Sequence, residues 1–131
     1  MSVRSDIINQ ITTNLSGHSN ISISQELPFD SGGIPLYDKN LNVVYVDEQE
    51  ILVEQLYRTL DQGNVNLTTT SINAYLSTDA KNQFSDINTI ISNLLIARNV
   101  ITNVQDSNSD YETEIVDDKI TYTFEYNFIT I

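Results

Sequence analysis

Apolar residues along this chain of 131 residues recur at two different spacings, which distinguish helices from strands. Near the start they lie three or four positions apart, at Val3, Ile7, Ile8, Ile11 and Leu15. This spacing predicts a first helix over about residues 3 to 16. Ser2 is a suitable N-cap, and we expect Gly17 to take the left-handed conformation that often follows a helix.

Three segments in the first part of the chain have the β-branched, alternating composition of strands. They are "NISISQEL" at 20–27, "LNVVYV" at 41–46 and "NVNLTTTSINAYL" at 64–76. Residues 47–62, between the second and third of these, are ambiguous. Their apolar spacing and a capping box at Asp47 and Glu50 favour a helix, whereas the run "EILVE" is also compatible with extended chain.

A wide apolar stripe predicts the longest helix, over about residues 84 to 102, with Ser85 as a suitable cap. The stripe consists of Phe84, Ile87, Ile90, Ile91, Leu94, Leu95, Ala97 and Ile101. The polar segment "VQDSNSD" that follows, residues 104–110, is predicted to be a loop.

The clearest pattern predicts a hairpin in which two alternating runs join at Asp117 and Asp118. One face of its second strand is apolar and consists of Ile120, Tyr122, Phe124, Tyr126 and Phe128. We expect this face to pack on the long helix. The order of elements then predicts an α+β fold, in which one domain over residues 1–131 packs an antiparallel or mixed sheet against two helices.

Charge and residue inventory restrict the function. The chain has 18 acidic and 6 basic residues, a net charge of −12, one histidine and no cysteine. Acidity disfavours simple nucleic-acid binding by counterion release. One histidine without cysteine supplies no nucleophile, base and orienting group, so we expect no enzyme, no catalytic residue, no cofactor and no metal. We also expect synthesis and function in the cytosol, because no apolar run has the length of a signal peptide or membrane span.

Two polar motifs invite a binding interpretation and have a simpler one. Asp106, Asn108 and Asp110 have the spacing of a calcium loop, but Tyr111 stands where the sharp turn needs glycine, so a solvated acidic turn is preferred. Asp30 precedes a serine and two glycines that could cradle an anion. No Walker lysine follows them, so an Asx turn with left-handed glycines is preferred. The single histidine, His18, is interpreted as a solvated loop residue.

The segment "ELPFDSGGIPLYDKN", residues 26–40, holds both prolines and two of the four glycines. Such a concentration predicts a shaped loop. We predict that residues 28–40 lie between subunits, with Phe29, Leu36 and Tyr37 as apolar anchors. The alternative is a surface loop whose apolar residues fold back on their own core.

Several runs resemble the tail terminator (tail completion) proteins of contractile-tailed bacteriophages, the myovirus type, over nearly the whole chain. They are "ELPFDSGGIPLYDKNLNVVYVDE", "LYRTLDQG", "YLSTDAKN" and "ARNV". The resemblance implies a virion structural protein that forms a ring, usually of six copies, on the head-proximal end of the tail tube. This ring stops tube polymerisation and provides an interface to the neck and head.

The resemblance also implies the partners and the location. The partners are further copies of the chain, the tail tube protein, the tail sheath protein and the neck or head-completion proteins. Genomic DNA passes through the lumen without specific binding, and no membrane is involved. The protein is then located in the virion tail or neck after assembly in the host cytoplasm. Two alternatives remain open: a head-tail connector or neck subunit, and an acidic monomeric or dimeric binding module that mimics DNA.

Overall fold

The computed structural model describes residues 3–59 and 63–131, and this part of the chain folds into one mixed sheet with two helices. The elements are α1 (Val3–Asn14), β1 (Ser22–Ile23), β2 (Val43–Val46), β3 (Glu50–Thr59), β4 (Gly63–Asp79), α2 (Ile87–Leu95), a 3-10 helix (Ile96–Val100), β5 (Asp106–Val116) and β6 (Lys119–Thr130). The predicted α+β class is confirmed.

The order of strands is β1-β2-β4-β6-β5, and β3 also pairs with β4. β1 and β2 are parallel, and the other pairs are antiparallel. β4 is the longest strand and pairs along one side with β6. Along its other side it pairs first with β3 and then with β2, so the hairpin of β3 and β4 extends one end of the sheet.

The helices cover one face of the sheet, and the core lies between the helices and that face. α1 contributes Ile7, Ile8 and Ile11, and α2 contributes Ile90, Ile91 and Leu94. The sheet contributes Val44, Val46, Ile72, Ala74, Leu76, Tyr122, Phe124, Tyr126 and Phe128. The Tyr126 hydroxyl donates a hydrogen bond to the Leu94 carbonyl, which confirms that the apolar face of the last strand packs on the second helix.

The second helix is shorter than its apolar stripe suggested. It begins after Asp86 rather than at about residue 84, and it gives way to the 3-10 helix at Ile96. Asp86 makes no side-chain cap bond to the helix, because its carboxylate lies 2.8 Å from Nδ1 of His18. The expected cap at Ser85 is therefore wrong.

Two other predicted segments are also different. Residues 47–62 contain the strand β3 rather than a helix, so the capping box at Asp47 and Glu50 is wrong and the extended alternative is correct within the described residues. The polar segment "DSNSD" forms the first half of β5 rather than a loop, because it pairs with β6 from Asp106 onward.

The end of α1 also differs from the prediction. Gly17 is not left-handed, and His18 N instead donates 2.9 Å to the Leu15 carbonyl in an ordinary turn. Ser2, the expected N-cap, lies outside the described residues. No helix in the described ranges combines the length and apolar content needed to cross a membrane.

Candidate functional site

The loop rich in proline and glycine is held by its own turn. Asp30 Oδ1 accepts hydrogen bonds from the backbone N–H groups of Gly32 and Ile34, both at 2.9 Å. Gly33 has φ 80°, which only glycine adopts readily. The predicted Asx turn is confirmed, although Gly32 is not left-handed. The carboxylate thus satisfies the loop backbone and is not arranged around an anion.

The predicted interface anchors of this loop contact the chain's own sheet. The ring of Tyr37 stacks on that of Tyr75 from β4 with centroids 4.4 Å apart, and Phe29 meets both rings edge-on at 5.7 Å. Burial raises the pKa of the Tyr37 and Tyr75 hydroxyls. Leu36 is half-buried and donates its N–H 2.7 Å to the Pro28 carbonyl. The loop folds back on its own sheet, and a role for these residues between subunits stays a prediction.

Two cations fasten this loop to the rest of the fold. Lys119 Nζ donates 2.7 Å to the Asp38 carbonyl. At the start of the loop, Arg4 Nη2 donates to the carbonyls of Gln25 and Glu26 at 2.9 and 3.3 Å. Because each bond joins segments far apart in sequence, the loop is a fixed part of the surface. It covers the β2 side of the sheet face that lies opposite the helices.

The remainder of that face is uncovered, and we call it the open face. It consists of alternate residues of four strands that lie opposite one another in the register. Its carboxylates are Glu50, Glu54, Asp106, Asp110, Glu112, Glu114 and Glu125, and each of these side chains is exposed. The scatter of acidic residues along the sequence therefore becomes a concentration in space.

Polar side chains form a ladder across the open face. Ser71 Oγ donates 2.6 Å to Asn127 Oδ1. The amide nitrogen of Asn127 donates to Asn108 Oδ1 at 3.1 Å and to Glu125 Oε1 at 2.9 Å. Since these bonds connect β4, β6 and β5, they orient the groups of the open face without covering them.

Like charges approach one another on this face. Asp110 of β5 lies directly opposite Glu125 of β6 in the register. A cavity of about 170 Å³ lies beside them and is lined by Asn73, Asp110, Tyr111, Glu112, Thr123 and Glu125. Like charges directly opposite each other destabilise a sheet by a few tenths of a kcal/mol or more. The fold thus tolerates an arrangement that stability alone does not favour.

Few cations offset this charge. Among the side chains that the structure describes, which leave out residues 1, 2, 57–62 and 64, the ion pairs are His18 with Asp86 and Lys81 with Asp118, and neither lies on the open face. Lys119 lies at the edge of the face, where its ammonium group is bound to the loop carbonyl. The open face therefore presents a negative potential to solvent.

His18 lies in the turn after α1, as predicted, but it is less exposed than expected. Its side chain is only 17% exposed, and its contact with Asp86 joins the turn after α1 to the start of α2. The interpretation as a solvated loop histidine is wrong, because the two helices pack side by side and bring these polar groups together.

The residues with calcium-loop spacing lie on an extended strand. Asp106, Asn108 and Asp110 occupy alternate positions of β5, so neighbouring members are separated by about 6.7 Å along the strand. This is neither a calcium loop nor the solvated acidic turn that was preferred. In the part of the chain that the structure describes, no three ligating side chains are grouped as a metal site requires.

The hairpin of β3 and β4 carries exposed apolar residues that the sequence interpretation missed. Ile51, Leu52 and Val53 are 58%, 57% and 56% exposed, and Leu56 is also exposed. Because consecutive residues of a strand point to opposite faces, both faces of β3 are uncovered. We call the four exposed apolar residues of β3, Ile51, Leu52, Val53 and Leu56, the apolar edge.

Comparison with known proteins adds no identity: no protein-family model matches this chain, and no curated protein is similar to it in sequence.

Proposed function

We propose that this chain is a virion structural protein, a tail terminator whose copies form a ring on the head-proximal end of a phage tail tube. The observation that carries the proposal is the open face, where carboxylates are concentrated and cations are few. On this proposal the open faces of successive copies line the lumen of the ring, and the helices lie outside.

An acidic lumen suits a passage for DNA. Phosphates bind proteins mainly through lysine and arginine with release of counterions, and a wall of carboxylates gives the opposite interaction. DNA therefore passes such a wall without being retained. The repulsion between Asp110 and Glu125 has a functional reason on this proposal, since it is the stability cost of a surface that repels phosphate.

A ring also needs apolar contact between subunits, and the apolar edge supports this part of the proposal. Scattered single apolar residues are ordinary on a surface, whereas a run on an uncovered strand is a common site of association. A head-tail connector subunit would have the same requirements and would differ only in binding the portal side.

The ring and its lumen can be tested together. Native mass spectrometry over a range of concentrations should show a closed oligomer of six copies, and electron microscopy should show annular particles. A double charge reversal on the open face, Glu112→Lys with Glu125→Lys, should keep the ring and raise its affinity for double-stranded DNA above that of the original protein, because the lumen becomes less acidic.

The matched control reverses the same number of charges elsewhere on the surface, with Glu26→Lys and Glu48→Lys. Its ring should bind DNA no better than the original protein does. Equal DNA binding by both double variants would mean that net charge alone acts, and the assignment of the open face to the lumen would be abandoned.

The open face also favours a second candidate, an acidic module that mimics DNA. Asp110, Glu112 and Glu114 form a regular row along β5, and Glu125 lies beside it. A DNA-binding protein could be recognised by such a row. This candidate works as a monomer or a dimer, so the oligomer found by native mass spectrometry separates the two functions.

A further inference from the structure

We propose that β5 accepts a strand of a different protein, which pairs along the free side of β5 and alternates lysine or arginine with apolar residues. This inference goes beyond the proposed function, because it concerns one sheet edge of a single copy and holds whether or not the copies form a ring.

The backbone of β5 is available for pairing along one side. The strand has 11 residues and, within the described residues, pairs with β6 alone. Successive residues of an antiparallel strand direct their backbone groups alternately toward and away from the partner strand. Ser107 and Tyr111 direct theirs away from β6, since the N–H of each donates to the preceding carboxylate, at 2.9 and 2.8 Å. The odd-numbered residues of β5 therefore present their backbone to the free side, as strand addition requires.

The side chains of β5 on the open face determine the charge of the incoming strand. They include four exposed carboxylates, those of Asp106, Asp110, Glu112 and Glu114. Among the side chains that the structure describes, none of the four forms an ion pair. Opposite charges facing each other across a ladder stabilise strand pairing, and like charges destabilise it. The strand that fits this side carries cationic residues at alternate positions.

The other side of β5 favours apolar partners. Tyr111 and Ile115 are 38% and 69% exposed, and both lie on the side of the sheet that faces the helices. Because consecutive residues of a strand point to opposite faces, a strand that alternates basic and apolar residues meets the carboxylates and these two side chains at once. Alternation thus defines the occupant more narrowly than charge alone does.

A further copy of this chain does not supply such a strand. Its β5 carries the same carboxylates, and its β3 carries Glu50 and Glu54 among the residues of the apolar edge. Each copy also has a net charge of −12, so electrostatic repulsion opposes the pairing of β5 with either strand. The charge of this edge therefore identifies the occupant as a strand of a different and basic protein.

Two carboxylates make the edge selective. Asp106 and Asp110 occupy the N–H groups of Ser107 and Tyr111, which are donors that the carbonyls of an incoming strand need. Charged side chains on a free edge protect it from unspecific pairing. A cationic side chain on the incoming strand attracts these carboxylates away from the backbone and frees the donors, whereas a neutral strand does not.

Two synthetic peptides of equal composition test the pairing. One alternates lysine and valine over about the length of β5, and the other has the same residues in one lysine block and one valine block. Fluorescence anisotropy with the full chain should show that the alternating peptide binds at least about tenfold more tightly. Equal affinities would show that charge alone acts, and binding of neither peptide would show that β5 accepts no such strand. Either result would overturn the proposal.

Methylation of the peptide backbone separates strand pairing from side-chain attraction. When the lysines face the carboxylates, the valine N–H groups point toward β5 and the lysine N–H groups point away from it. N-methylation of the valines should therefore abolish binding, and N-methylation of the lysines should preserve it. Binding that survives methylation of the valines would refute the ladder.

Amide hydrogen exchange identifies the strand that accepts the peptide. The alternating peptide should slow exchange at Ser109, Tyr111 and Thr113 of β5 and leave Ile51 and Val53 of β3 unchanged. Slower exchange at Ile51 and Val53 alone would place the peptide on β3 and overturn the proposal.

A pair of double variants tests the carboxylates. Asp110→Asn with Glu112→Gln should weaken binding of the alternating peptide by about tenfold or more. Glu26→Gln with Glu48→Gln neutralises two exposed carboxylates elsewhere and is the matched control, which should bind nearly as tightly as the original protein. Equal losses in both double variants would show that net charge, and not the row on β5, attracts the peptide.

Discussion

The two long hairpins of this sheet, β3 with β4 and β5 with β6, have the same architecture and opposite environments. In the second hairpin, β6 buries Tyr122, Phe124, Tyr126 and Phe128 under the helices. In the first hairpin, β3 leaves consecutive apolar residues exposed. The difference teaches that apolar content alone does not locate the core. Burial depends on whether a helix covers the strand, and β3 lies beyond the helix layer.

The largest expected contrast is in stability. Phe124→Ala in β6 removes a fully buried ring and should lower the free energy of unfolding by about 3–5 kcal/mol. Leu52→Ala in β3 should change it by less than about 0.5 kcal/mol, because that side chain is already 57% exposed. Urea unfolding of the two variants, at a concentration where the chain is monomeric, measures both. Similar losses would mean that β3 is covered within one subunit.

A smaller difference between the hairpins is expected in how stability depends on pH, because β6 contains a buried tyrosine, Tyr126. Burial raises the pKa of the Tyr126 hydroxyl above its ordinary value near 10. The folded state therefore keeps this proton where the unfolded chain loses it, so stability is complete below about pH 10 and falls as the pH rises above it. Tyr126→Phe should cost about 1 kcal/mol at pH 7, since the hydrogen bond to Leu94 is lost, and should weaken the alkaline decline.

The control for that measurement is Tyr111→Phe, which alters an exposed ring on the edge strand β5. Urea unfolding from pH 8 to pH 11 should show the original steepness of the decline for this variant. An unchanged slope in Tyr126→Phe would assign the alkaline loss to other groups, of which Tyr37 and Tyr75 are the first to examine.

The smallest effect concerns the turn of the second hairpin. Asp117 and Asp118 have φ of 51° and 62°, the left-handed pair of a tight two-residue turn. Asp118→Gly relieves the second of these conformations and should raise the free energy of unfolding by about 0.5–1 kcal/mol. The exposed ion pair of Asp118 with Lys81 at 3.4 Å is lost as well, but such pairs contribute little. A lower melting temperature would show that the ion pair outweighs the backbone strain.

Much of the fold could be predicted from the sequence where periodicity and burial agree. Ile120, Tyr122 and Phe124 alternate with polar residues because one face of β6 is covered, and the turn residues at Asp117 and Asp118 define its register. For α1 the apolar spacing likewise gave nearly the correct bounds.

The wrong predictions concern segments in which the hydrophobic periodicity does not match the burial of the residues. β3 has apolar residues on both faces, so its pattern does not alternate, and its spacing favours a helix while leaving the extended alternative open. The first half of β5 is polar because its outward positions face solvent, and it was read as a loop. Neither environment is visible in the local sequence, since each depends on what the rest of the fold leaves uncovered.

The candidate site was predictable only in part. The acidic composition indicated a surface that repels phosphate, but the meeting of Glu125 with Asp110 depends on strand register. The loop anchors Phe29 and Tyr37 were recognised as apolar contacts, although their contact with Tyr75 required the tertiary structure. Contacts between segments distant in sequence cannot be obtained from periodicity.

The place of β6 in the sheet has a consequence for how the chain is made. β6 is the last of the described strands, yet it lies in the middle of the sheet between β4 and β5. During synthesis, β4 therefore has no partner on its β6 side until β6, residues 119–130, begins to emerge from the ribosome. Folding depends on pairing between distant segments, which is slow, and the unpaired strands are open to aggregation meanwhile.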